Sequence, residues 1–133
     1  MNEVITNLID RSNFVKGLLV LITKDKKITE EERSNLKEIG MSLGFSSEFL
    51  DESIDEALHN EYISKEPPKF TSQTFTINFL RKGIKLALSD SDMDSEELRY
   101  LMETAEVNNV SLNDFNTMMV EIKNESEKNA VNF

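Results

Sequence analysis

Apolar positions recur at helical rather than strand spacing along nearly the whole chain. Val4, Ile5, Leu8 and Ile9 open an amphipathic stretch. Phe14, Val15, Leu18, Leu19, Leu21 and Ile22 continue it, apolar on nearly all sides, as in a helix surrounded by others. Thr29-Glu30-Glu31-Glu32 predicts a capping box, with the Thr hydroxyl taking an amide of the new helix and Glu32 reaching back. Leu36, Ile39, Gly40 and Leu43 follow on one face, and Gly44 is placed to end that helix in a left-handed turn. Ser46 or Ser47 starts the next helix, with Phe49, Leu50, Ile54, Ala57 and Leu58 inward.

Pro67-Pro68 is the strong breaker. Beyond it, Thr71 or Ser72 caps a helix with Phe75, Phe79, Leu80, Ile84, Ala87 and Leu88 inward and Asn78, Lys82 and Lys85 in water. Asp94-Ser95-Glu96-Glu97 is a second capping box, ahead of Leu98, Leu101, Met102 and Ala105. Ser111 starts a last helix carrying Leu112, Phe115, Met119 and Ile122, with Met102, Met118 and Met119 read as packing. Gly17 and Gly83 fall mid-helix, which predicts close helix packing.

Displaced by 65 residues, the chain matches itself without a gap. Asn13-Phe14-Val15-Lys16 falls on Asn78-Phe79-Leu80-Arg81, Asp25 on Asp90, Glu31-Glu32 on Glu96-Glu97, and Ser46 on Ser111. Helical periodicity alone reproduces apolar spacing, but not the Asn-Phe pair, the loop Asp and the Glu pair together. The expected fold is all-α: a single bundle over residues 1–124, made of two three-helix repeats (about 13–53 and 78–118) around a pseudo-twofold axis, with 125–133 a frayed polar tail.

Composition narrows the function classes. The 133 residues hold 15 basic against 25 acidic side chains, a net charge of −10, which disfavours nucleic acid and anionic membrane surfaces. Zero Cys removes disulfide and thiolate chemistry. The longest apolar run, Gly17 to Ile22, is too short to cross a bilayer, and with no targeting signal the expected location is the cytoplasm. His59 has no second His or Cys to share a transition metal, and reads as a surface residue near a helix end. No nucleophile elbow and no Gly-rich phosphate loop occurs.

Asp25-Lys26-Lys27-Ile28-Thr29-Glu30-Glu31-Glu32 and Asp90-Ser91-Asp92-Met93-Asp94-Ser95-Glu96-Glu97 resemble the loop of TerB-like tellurite-resistance proteins, Asp-Gly-x-apolar followed by a Glu at the head of the next helix. The family's Gly position is taken by Lys26 in one loop and Ser91 in the other. The resemblance covers about residues 10 to 122 and implies a duplicated helical fold. It also implies a link to bacterial stress-response and phage-resistance systems, and divalent-cation binding by acidic residues.

Two sets of site residues follow. Asp90, Asp92, Asp94 and Glu97, joined by Asp25, form a candidate Ca²⁺ or Mg²⁺ site of hard oxygen ligands. It is not an EF-hand: counting from Asp90, Ser95 stands where the Gly belongs and Leu101 where the bidentate Glu belongs. Affinity is expected to be weak, about 10⁻⁴–10⁻³ M. The alternative is that Asp94 is an N-cap whose acidic neighbours favour the helix dipole. Lys24, Lys26 and Lys27 oppose a dication beside Asp25. One of these lysines can instead reach across to the acidic loop if the two loops meet.

The second set is an acidic contact face drawn from Glu31, Glu32, Glu38, Asp51, Asp55, Glu96, Glu97 and Glu103. Charge is segregated: residues 30 to 61 hold ten acids against Arg33 and Lys37, whereas residues 62 to 88 hold five bases against Glu66. The leading expectation is a non-enzymatic module that binds a protein partner, basic or membrane-associated. A weak cation-binding protein and an uncharacterised enzyme are the alternatives, with no other cofactor expected.

Overall fold

Six helices make up most of the described chain. A computed structural model describes the backbone of residues 3–24, 27–60, 62, 64–88 and 93–131, and the side chains of those between 7 and 125. The helices are α1 (Glu3–Ile22), α2 (Glu30–Ser42), α3 (Ser47–His59), α4 (Gln73–Leu88), α5 (Ser95–Val107) and α6 (Leu112–Val131). No strand occurs among the described residues.

The central elements are α1 and α4, whose apolar faces meet, while Asn78, Lys82 and Lys85 keep the outer side of α4 in water. α1 packs against α2, α3, α4 and α5, and α4 against α1, α5 and α6. Between them lie Leu18, Leu21, Phe79, Leu80 and Ile84, all without solvent contact. Gly17 permits the approach: a Cβ there would stand 2.7 Å from the Phe79 ring and 2.8 Å from Pro68. Phe14, Phe70, Phe75 and Phe79 then stack into one aromatic knot, with centroids 5.3 to 6.4 Å apart.

Local signals terminate the outer helices. Thr29 Oγ1 accepts from the Glu32 amide at 3.0 Å while Glu32 Oε1 accepts from the Thr29 amide at 3.0 Å. Asp94 and Glu97 repeat the exchange at 2.8 and 3.2 Å. Ser46 caps α3 through the Phe49 amide, and Ser72 accepts from the Phe75 amide at the head of α4. α2 ends on Gly44 at φ +100°, and α5 ends on Asn109 at φ 62°, a left-handed turn that Asn tolerates.

The inward stripes of α3 and α6 are narrower than the sequence suggests. Leu50, Ile54 and Ala57 on α3, and Phe115, Met118 and Ile122 on α6, reach the core. Phe49 and Leu112, in the first turns, stay 47% and 58% exposed, and Met102 on α5 is 38% exposed. Phe49 covers a loop instead, stacking on Phe45 at 5.4 Å. Residues 124 to 131 continue α6, and Arg81 of α4 holds its outer face through Glu121 at 3.3 Å and Glu125 at 3.8 Å.

Polar side chains from two different helical regions pin the segment between α3 and α4. Asn108 donates to the Pro68 carbonyl at 2.8 Å and accepts from the Phe70 amide at 2.9 Å. Asp10 of α1 accepts from the Thr71 amide at 2.9 Å and from its hydroxyl at 2.5 Å. Asn13 adds a bond to the Lys69 carbonyl at 3.2 Å.

Candidate functional site

The candidate cation ligands divide at the edge of the described chain. Asp25, Asp90 and Asp92 lie outside the described residues. Asp94 and Glu97 are described, and both use an oxygen in the capping box of α5. Among the described residues no three His, Cys, Asp or Glu side chains converge on a point where an ion would sit. Lys24 does cross between helices, but to an aromatic ring: its Nζ stands 4.8 Å from the Tyr100 centroid.

The acidic residues proposed as one face have unlike surroundings. Glu31, Glu38 and Glu96 are exposed. Glu32 is 8% exposed with its carboxylate turned to its own cap, so it offers nothing to a partner. Glu97 is similarly engaged at the head of α5, and Glu103 stands 3.7 Å from Arg99. Asp51 and Asp55 are committed to an ion cluster. Arg33 reaches Asp51 at 3.1 Å and Asp55 at 3.4 Å, and Lys37 reaches Asp51 at 3.0 Å. The Lys37 ammonium, with Arg33 behind it, holds the Asp51 carboxyl below its ordinary 3.8. This cluster straps α2 to α3 across their outer groove.

The α5–α6 groove has the same helix order but lacks that strap. The residues 65 positions beyond Arg33, Lys37, Asp51 and Asp55 are Leu98, Met102, Asn116 and Val120, none of them charged. A groove of about 750 Å³ lies here, its apolar side lined by Leu98, Met102, Ala105, Val110, Leu112 and Phe115, against about 450 Å³ at the matching α2 positions. A smaller cleft of about 360 Å³ opens between α1 and α3 over Leu19, Val20, Phe49 and Ala57. Its counterpart between α4 and α6 carries the Arg81 bridges to Glu121 and Glu125. Ion pairs therefore span the α2–α3 groove and the α4–α6 contact.

Sequence reasoning missed three buried polar groups, two of which hold the linker before α4. Asp10, at 1% exposure, shares its helix face with Phe14, Leu18 and Leu21, and that polar residue in an apolar stripe was the available signal. Asn108 follows α5 as its C-cap and holds the linker. The Tyr100 hydroxyl is buried with no hydrogen-bond partner among the described residues, and burial pushes its ionisation well above the ordinary 10.0. His59 ends α3 in solvent, and its Nδ1 lies 2.8 Å from the Asp55 carbonyl, which accepts. No described helix is long and apolar enough to cross a membrane.

No protein-family model, no curated protein and no solved structure matches the chain.

Proposed function

We propose that this protein is a non-enzymatic helical interaction module, built of two TerB-like three-helix repeats and acting in a bacterial stress-response assembly. The repeat reading is supported by spacing: N-caps at Thr29 and Asp94, left-handed turns at Gly44 and Asn109, and helix starts at Ser47 and Leu112 all lie 65 residues apart.

The observation that carries the functional reading is the acidic exterior. Glu31, Glu38 and Glu96 face solvent on a chain of net charge −10, with no opposing cation within ion-pair distance among the described residues. Such a field speeds the arrival of a basic partner and repels anionic ones. The test is affinity capture from host lysate with the native chain and with Glu31→Lys, Glu38→Lys and Glu96→Lys combined. A partner retained by the native chain and lost by the triple variant supports the face. Equal recovery of every partner overturns it.

A further inference from the structure

The α5–α6 groove has exposed apolar floor where a helical partner would place its own apolar stripe. Met102 and Leu112 stand 38% and 58% exposed at its two walls, over buried Phe115 and Val110. Met102 is also the side chain best able to reshape around a ligand, since its thioether chain adopts many rotamers at little cost. The positions that strap α2 to α3 through Arg33, Lys37, Asp51 and Asp55 are apolar or neutral here. The groove is thus free of the ion pairs that cross its counterpart.

The rim selects the occupant. Glu103 and Glu106 line the groove against Arg99, which is already turned to Glu103, and Glu96 stands exposed at the head of the same helix. A second copy of this chain would bring the same acidic rim to the interface, and an anionic lipid surface would meet it with like charge. We infer that the α5–α6 groove docks a basic amphipathic helix of a partner protein, with apolar residues at i, i+4 and i+7 in the groove and Lys or Arg residues against the acidic rim. This inference rests on the interaction-module reading and names its surface and partner class. α5 spans 13 residues, about 20 Å at 1.5 Å per residue, enough for three turns of a docked helix.

The probe is a fluorescein-labelled synthetic peptide of about 18 residues, five turns of helix, with Leu on one face and Lys on the other. A scrambled isomer of identical composition has no apolar face. Anisotropy at physiological salt is expected to show the patterned peptide binding about tenfold tighter than the isomer, as buried apolar anchors dominate such interfaces. Amide shifts should concentrate on α5 and α6. Met102→Lys with Leu112→Ser, both at exposed sites that leave the helical circular dichroism intact, should cost about tenfold in affinity. Phe49→Ser, in the α1–α3 cleft, should cost none.

Equal binding of the two peptides, shifts centred on α1 and α3, or no binding overturns the proposal. So does a dimer of this chain that the Met102→Lys, Leu112→Ser variant dissociates, or binding to anionic phosphatidylglycerol vesicles that this variant abolishes. If the peptide fails while the lysine triple variant still releases a host partner, the groove assignment alone falls. If the groove variant releases the host partner and the triple variant does not, the acidic-face reading alone falls.

Discussion

Replacing Tyr100 by Phe should stabilise the protein, although it deletes a polar group from the core. Tyr100 is 2% exposed and its hydroxyl has no hydrogen-bond partner among the described residues. Hiding an unsatisfied hydroxyl costs about 1–3 kcal/mol. Phe keeps the ring, the contacts with α1 and the face beneath the Lys24 ammonium, and the void left is smaller than a methyl group, worth less than about 1 kcal/mol. The difference is a net gain of about 1 kcal/mol, or a rise in Tm of about 3–5 °C for a chain of this size.

The gain should grow at high pH. Burial raises the folded-state pKa of Tyr100 above its ordinary 10.0, so the native protein keeps a proton that the unfolded chain releases. The stability tied to that proton is fully present below pH 10 and is lost as pH rises beyond it. The gap between Tyr100→Phe and the native chain is therefore flat up to pH 10 and widens above it by about 1.4 kcal/mol per pH unit. Urea unfolding at pH 7 to 11, followed by circular dichroism, measures both parts. Tyr62→Phe removes the other tyrosine, 91% exposed, so that phenolate absorbance reports Tyr100 alone. A loss of stability at pH 7, or a gap that stays flat above pH 10, would refute the account and show that the hydroxyl has a partner.

Other expectations follow from the same geometry. Asp51→Asn should lower the melting temperature at pH 7, and the deficit should shrink as pH falls below 3.8 and when NaCl is raised, because the native carboxyl is held in its charged form by Lys37 and Arg33. Gly17→Ala should lose about 1–3 kcal/mol in urea titration, since its Cβ would press into the buried Phe79 ring. Asn108→Ala, which removes the donor to the Pro68 carbonyl and the acceptor for the Phe70 amide, should cost about 1–3 kcal/mol and speed hydrogen exchange at Phe70 selectively. Asp94→Ala should cost about 1 kcal/mol through loss of the α5 cap, read from thermal unfolding.

The features readable from sequence are those decided within one turn of chain. Both capping boxes, the Ser46 cap and the Gly44 turn depend on residues three to five apart, and they fall where the spacing places them. The burial of residues 17–22 at the end of α1 was equally visible, because a helical stretch lacking a polar stripe must be enclosed. Exposure of Phe49, Met102 and Leu112 was not, since it depends on how far α3, α5 and α6 roll against the core. The ion cluster was also hidden: Arg33 meets Asp51 only after α2 and α3 pack together, and each residue alone reads as solvated surface. Burial of Tyr100 depends on α5 lying against α1, a contact between segments far apart in sequence. The residues nominated for the cation site were chosen for loop composition, and the two that are described are engaged in local caps.

The pinned segment before α4 also governs what the two halves of the chain can do with a second copy. Domain exchange between copies requires the connecting segment to straighten into a hinge while each half finds its mate in another chain. Here Asp10 grips that segment from the first half and Asn108 from the second, and both belong to side chains with almost no solvent contact. Straightening residues 68–71 would strand a carboxylate and an amide together, which disfavours exchange through that stretch. Disabling both grips, by Asp10→Ala and Asn108→Ala, turns the same segment into a release point for swapped dimers.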